Sequence, residues 1–361
     1  MKLIGLGIFA IAFLLTLILT PIVRRLAPRL GLVDRPNARK MHIQPMPLGG
    51  GIAIFIGVVA PILIGLLVTF LLAAGIPLPA VPDIVREQLP LLRAAAPKVV
   101  VLLIGGAIIF TLGLLDDRKG LGVPMRFGVE SAVALLLVLC GMDITLFIEN
   151  PIICAIITIG WIVGITNAFN FLDNMDGLSA GTALILSCIF FVVAVQTGQF
   201  FVAALLLAII GATAAFLVFN FPPAKIFMGD TGALFIGYML AVAAVVFTFY
   251  VEGSPLFPIC VPLLVFCVPI FDAISVIAIR LREGRSPFQA DTKHFSHRLV
   301  ALGMTPRQAV LTIYLVTFAT GVTATLLYRT TTVGALIILI QVLAVMVVIV
   351  LLQKAAGGKA N

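Results

Sequence analysis

The sequence predicts an all-α, polytopic integral membrane protein with about eleven spanning helices. Hydrophobic residues fill 62% of the 361 positions and charged residues 11%. Mean hydropathy is +1.24, and apolar runs of spanning length recur from end to end. The runs lie near 3–23, 48–74, 98–115, 124–140, 151–169, 178–196, 200–219, 231–251, 256–279, 309–328 and 333–352, the fourth being short. No long stretch has a soluble composition, so residues 1–361 read as one integral domain. The first run passes into Pro21 and Arg24-Arg25 without a small-residue cleavage site. It therefore reads as a retained span rather than a signal peptide.

Charge orients these spans. With the amino terminus outside, the inner segments and the start of the fourth span hold 18 of the 23 Lys and Arg, leaving 5 outside. That asymmetry is the positive-inside pattern. The net charge of +8 follows from topology and does not imply a nucleic-acid partner. The five cysteines lie in apolar stretches with no C-x-x-C pair, as small core residues do.

The stretch from Thr166 to Leu178 organises the chain. It sets Asn167, Asn170, Asp173, Asn174 and Asp176 between two apolar runs, where desolvating them is costly unless they line a wet site. Asp173 and Asp176 share a face if the segment is helical. Oxygen-only ligands favour Mg²⁺ over zinc; a polar turn at the membrane edge is the alternative. The alternating ligands and closing Glu of an EF-hand are missing.

Four more polar segments fall on the same side. Arg24–Pro47 sets Asp34, Asn37 and His42 among prolines before Gly49-Gly50-Gly51; glycines there permit close backbone approach. This loop also suits anionic headgroups. Asp116-Asp117 is an adjacent acid pair whose repulsion calls for a cation, from Lys119 or a metal. Asp230, between Gly229 and Gly232, is either a site residue or a helix N-cap. Arg280–Gln308 carries Arg282, His294, His297 and Arg298, a basic set suited to pyrophosphate. Both His share a face if helical, without the further ligands a zinc site needs. Asp272, inside the ninth span, is expected to face protein. Acids on one side, with no internal repeat, describe a site at the inner face rather than a transport pathway through the membrane.

Taken in order, DDR-K (Asp116–Lys119), NFLDNMDGL (Asn170–Leu178), FMGDTG (Phe227–Gly232) and SPFQADTKHFSHR (Ser286–Arg298) resemble the polyprenyl-phosphate N-acetylhexosamine-1-phosphate transferases. VDRPNARKMHIQPMPLGGG resembles that family's first inner loop. The resemblance implies transfer of a sugar 1-phosphate from a UDP-sugar to undecaprenyl or another polyprenyl phosphate, with release of UMP. It implies Mg²⁺, with Mn²⁺ as a substitute, held by Asp230 and Asn170. Asp116 and Asp117 match the acid pair that positions or deprotonates the lipid phosphate. Asp173 and Asp176 match the acids that hold the nucleotide. Lys119, Asn167, His42, Arg282, His294, His297 and Arg298 become substrate-binding positions, and Ser296 stands where many relatives carry another His.

Asp272, Arg280, Ser286-Pro287-Phe288, Asp291 and His294 resemble the UDP-GlcNAc branch; the UDP-MurNAc-pentapeptide branch and an anion transporter are the alternatives. A CDP-alcohol transferase is excluded because Asp176-Gly177 continues as Leu-Ser-Ala rather than the D-G-x-x-A-R pattern. The setting implied is the bacterial inner membrane, with oligomeric state open, a homodimer included.

The orientation is testable by single-cysteine labelling in a background lacking the five native cysteines. A cysteine at Asn361 should stay unlabelled by an impermeant maleimide on intact cells and become labelled after permeabilisation. Labelling of intact cells would invert the topology.

Overall fold

The computed structural model describes residues 2–34, 45–79, 81–144, 148–247, 249, 257–289 and 292–357. Among them the helices are α1 (Lys2–Leu26), α2 (Gly50–Ala73), α3 (Asp83–Glu87), α4 (Leu89–Lys119), α5 (Val123–Leu139), α6 (Pro151–Leu172) and α7 (Leu178–Gln196). They continue as α8 (Phe200–Asn220), α9 (Gly229–Val246), α10 (Val261–Val265), α11 (Cys267–Arg282), α12 (Phe295–Ala301), α13 (Pro306–Gly321) and α14 (Thr332–Gly357). A two-residue antiparallel ladder joins Val33–Asp34 to Met46–Pro47.

Among the described residues nine helices are long and apolar enough to cross a membrane unaided. The expected eleven spans have counterparts, with two departures. The fourth, α5, has only 17 residues. The ninth is broken into Phe257–Val265 and Cys267–Arg282, bent by 64°, at a junction where Cys267 begins α11 and Pro269 follows two residues on. This is a multi-pass membrane protein. Leu3, Phe70 and Leu343 on its outer faces are more than half exposed, as side chains are where the surrounding solvent is hydrocarbon.

Local chemistry sets several helix starts. Asn150 Oδ1 accepts from the Ile152 amide at 2.9 Å, with Pro151 as the first residue of α6. Thr305 and Gln308 form a capping box ahead of α13, again with Pro at the first position. Both follow from leaving the first-turn amides without intrahelical partners.

α9 is the central post. Its residues from Thr231 to Val245 are buried, and it packs against α2, α4, α6, α7 and α8. Lipid tails are as apolar as side chains, so close packing rather than water exclusion must hold such helices together. Glycines supply that closeness. A Cβ on Gly51 of α2 would lie 2.6 Å from the Gly232 Cα, and one on Gly113 of α4 would lie 2.5 Å from the Asp230 carbonyl oxygen. The triple glycine also works through its backbone. The Gly50 and Gly51 amides donate to the carbonyls of Phe227 and Met228 at 3.0 Å each, and Phe227 N donates to Pro47 O at 2.9 Å.

Gly51→Ala should therefore force α2 away from α9 and lower stability by about 1–3 kcal/mol, the range for overpacking. A Cβ on Gly65, on the same helix, would meet nothing within 4 Å, so Gly65→Ala should leave the thermal midpoint in detergent unchanged or slightly higher. Equal midpoints for the two variants would contradict the close approach.

Candidate active site

The site grows from the end of α4. Gly120 closes that helix in a left-handed conformation, φ 65°, and turns the chain so that α5 starts beside it. Asp116, buried, then accepts the Leu121 amide at 2.6 Å and Arg126 Nη1 at 2.7 Å. Arg126 lies in the first turn of α5 and also sits 3.5 Å from Asp230 Oδ2. It supplies the cation that the acid pair called for. Lys119, expected in that role, is instead exposed at the last residue of α4, with the Asp116 oxygens already engaged.

Asp117 faces the other way. Its Oδ1 accepts the Asp230 amide at 2.9 Å; its Oδ2 accepts the Thr231 amide at 3.0 Å and the Thr231 hydroxyl at 2.5 Å. These amides open α9 and have no intrahelical acceptor, and the helix dipole favours an anion there. Asp117 thus performs the capping considered for Asp230, from 113 positions away in the chain. Gly229 makes room for it: φ is 72° and a Cβ there would meet Asp117 Oδ2 at 2.5 Å. The carboxylate of Asp230, freed from capping, accepts from Asn170 Nδ2 at 2.5 Å.

The central loop is a turn between α6 and α7, the alternative to a helix there, so Asp173 and Asp176 do not share a helical face. Asp173 accepts the Gly229 amide, whereas Asp176 Oδ2 accepts the Ala224 amide at 2.9 Å. Asn220 clamps the same turn, accepting from Gly177 N at 3.0 Å and donating to Ile226 O at 2.9 Å. The Tyr314 hydroxyl donates to Gly177 O at 2.5 Å.

The structure therefore gathers Asp116, Asp117, Asn170, Asp173 and Asp230 into one cluster, in which Arg126 pairs with Asp116 and Asp230. Asn167 lies a turn deeper, donating to the Glu130 carboxylate and to Val163 O at 2.9 Å. His294 precedes α12 as its N-cap residue rather than lying within it, yet its ring is 6.4 Å from that of His297. Arg298 donates to Ser275 Oγ at 2.7 Å and lies 5.9 Å over the Phe271 ring. Arg282 is exposed at the end of α11 and is not drawn into the acid cluster. His42, Asn37 and Asp291 lie outside the described residues.

Arg126 and Glu130 are site residues that the sequence motifs miss. Their signal is two opposite charges four residues apart in an otherwise apolar span, a spacing that places both on one face. Glu130 is 1% exposed within α5, so the acids are less strictly one-sided than the sequence suggests.

The donors suit a hard cation. Asp230 offers carboxylate oxygens, and a half-turn of the Asn170 amide would bring its Oδ1 to the same point. Mg²⁺ needs only one or two protein carboxylates when water and phosphate complete its shell. Among the described residues no three His, Cys, Asp or Glu form a self-sufficient metal cage.

The described residues thus form a multi-pass membrane helix bundle with a polar, acid-rich centre at one end. The chain belongs to glycosyl transferase family 4, whose pattern matches residues 99–248. It is 35% identical over 350 residues to the probable undecaprenyl-phosphate N-acetylglucosaminyl 1-phosphate transferase of Bacillus subtilis, covering 93% of this chain and 90% of that one. It is 33% identical over 337 residues to the decaprenyl-phosphate N-acetylglucosaminephosphotransferase of Mycolicibacterium smegmatis, covering 84% and 77%. With the undecaprenyl-phosphate alpha-N-acetylglucosaminyl 1-phosphate transferase of Escherichia coli K12 the identity is 28% over 320 residues, covering 84% and 78%.

The Asp173 carboxyl is pushed up to about 7, first by burial and next by the charge of Asp117, against the Gly229 hydrogen bond. A raised carboxyl means that the native state binds more protons than the unfolded state between the two pKa values. Stability is then greatest below about pH 4, the unfolded range, and is lost as pH rises through about 7. Without divalent cations, the thermal midpoint should fall between pH 5 and 8, and Asp173→Asn should make that slope shallower. An unchanged slope would place the titration elsewhere.

Proposed function

We propose that this protein transfers N-acetylglucosamine 1-phosphate from UDP-N-acetylglucosamine to a polyprenyl phosphate, releasing UMP. The observation that carries the reading is the convergence of Asp116, Asp173, Asp230 and Arg126 at one end of an apolar bundle. The names of the similar proteins support the sugar and the lipid acceptor. The basic asymmetry of 18 to 5 supports a cytosolic position for this end, in the plasma membrane of a bacterium.

In the reaction an oxygen of the lipid phosphate attacks the sugar-bearing phosphorus of the donor. A new P–O bond forms, the bond to the UMP oxygen breaks, and that oxygen leaves with the electron pair. Several negative charges meet, so positioning and neutralisation supply most of the rate. Mg²⁺ held by Asp230 and Asn170 would neutralise pyrophosphate oxygens. Arg126, fixed by Asp116, offers a guanidinium edge beside Asp230 and suits a phosphate oxygen. Asp173, able to hold or take a proton near neutral pH, is placed for acid–base work. Asp117 acts by building the start of α9, and Asp176 by fixing the 220–224 turn.

Purified protein should release UMP from UDP-N-acetylglucosamine only when Mg²⁺ and undecaprenyl phosphate are both present. Asp230→Asn should fold and lose turnover by far more than about tenfold, or roughly 1.4 kcal/mol of barrier. Preference for UDP-MurNAc-pentapeptide would change the donor and keep the chemistry. Solute uptake into proteoliposomes with the nucleotide left intact would overturn the reaction.

A further inference from the structure

α11 carries one carboxylate, Asp272, within an otherwise apolar stretch, and it is 1% exposed. An ionisable group at that depth is costly unless partnered. Both oxygens are taken by two consecutive residues of the segment that returns after the 283–293 loop. Oδ1 accepts the Phe295 amide at 2.5 Å, and Oδ2 lies 2.9 Å from His294 Nδ1. His294 is 6% exposed.

The His294 ring is also held from the side of the central loop. It meets Phe171 edge-on at 5.6 Å, and Phe171 lies two residues before Asp173. Arg280 stacks over the same Phe171 ring at 5.4 Å. Ser296 Oγ donates to Asn174 Oδ1 at 2.5 Å, and Asn174 Nδ2 donates to Phe171 O at 2.5 Å. The histidine segment and the central acid loop are therefore one connected assembly, anchored on Asp272. The position where relatives carry another His serves here as the tie.

A carboxylate accepts hydrogen bonds and has no proton to donate. In contact with it, His294 places its proton on Nδ1, and Nε2 is left as the nitrogen free for a ligand. We propose that Asp272 is a positioning residue that acts through His294. It fixes the tautomer and aim of the imidazole so that Nε2, an acceptor in that tautomer, takes a hydrogen bond from a hydroxyl or N–H group of the sugar-nucleotide donor. The identity of that ligand rests on the reaction proposed above; the hold of Asp272 on His294 does not.

Asp272→Asn separates this role from simple bracing. The amide oxygen can still accept from Phe295 N–H, but its NH₂ then faces Nδ1 and drives the imidazole proton to Nε2. The chain has three His, so ¹⁵N-histidine spectra are tractable, and the His294 signals are those lost in His294→Gln. The wild type should show a protonated Nδ1, and Asp272→Asn should show the exchanged tautomer at an unchanged thermal midpoint. Turnover should fall by about tenfold or more, the order seen when a partner that orients an active imidazole is lost. In the His294→Gln background the same substitution should change turnover by less than about threefold, as expected for residues acting as a unit.

A wild-type His294 without a proton on Nδ1 would overturn the proposal, and that measurement needs no variant of Asp272 to fold. Equal losses in both backgrounds would also overturn it, because Asp272 would then act independently of His294. If wild-type protein released no UMP, the reaction would fall while the spectra still decided the Asp272–His294 pair.

Discussion

The carboxylate of Asp117 bound to the opening amides of α9 is the contact on which the site depends. α9 is enclosed by five other helices, so its first turn cannot turn to water for hydrogen-bond acceptors. An uncapped helix end in that setting would leave buried amides unpaired, each costing about 1–3 kcal/mol. Asp117 removes that penalty and ties α4 to α9, at a point where Gly113 and Gly229 let the two backbones close. Its neighbour Asp116 is thereby turned toward α5 and Arg126. One adjacent pair of acids thus fastens two helices and splits into two roles, because consecutive side chains on a helix point about 100° apart.

With Asp117 and Asp176 engaged by backbone amides, Asp116, Asp230 and Glu130 are the acids that act on the single guanidinium of Arg126. Three carboxylates against one cation leave an excess of negative charge at low dielectric, where such imbalance is expensive. Protonation of Asp173 lessens the adjoining repulsion with Asp117 and Asp176, and a divalent cation would lessen the negative charge further. The same imbalance favours a cation at this centre over a bare phosphate. Metal and anionic reactant should therefore favour each other's binding.

The fold was largely legible because hydropathy in a membrane chain reports spans directly. Even the weaker segments were informative: the fourth run is a helix of only 17 residues, and the ninth is broken near Pro262 and Pro269. The acid motifs were legible as a set, since Asp116, Asp117, Asp173 and Asp230 do converge. Their division of labour was not. That Asp117 rather than Asp230 serves α9 depends on a contact spanning 113 positions, which no local pattern encodes. Lys119 stands out over Arg126 because it is nearer in sequence, but the Gly120 turn brings the later residue to Asp116. The Asp173–Asp176 spacing misleads for a related reason: α6 stops at Leu172, one residue before the pair begins.

α6 and α9 meet at the centre with opposite polarity, and this arrangement shapes the chemistry more than any single side chain. The last turns of α6 distribute three contacts by helical spacing. Asn167 reaches Glu130 on α5, Asn170 reaches Asp230 on α9, and Phe171 receives Arg280 of α11 together with His294. The carbonyl end of α6 adds partial negative charge where the carboxylates already gather, while the amide end of α9 contributes the opposing positive charge. Asp117 takes up much of that positive end. The remaining field at the tip of α6 is negative, and it is bounded on the α12 side by His294 and Arg280. His294 and Arg280 are in turn held by Asp272 and by the Pro287 carbonyl, so the two flanks of the α6 tip differ in charge while each is fixed within the protein.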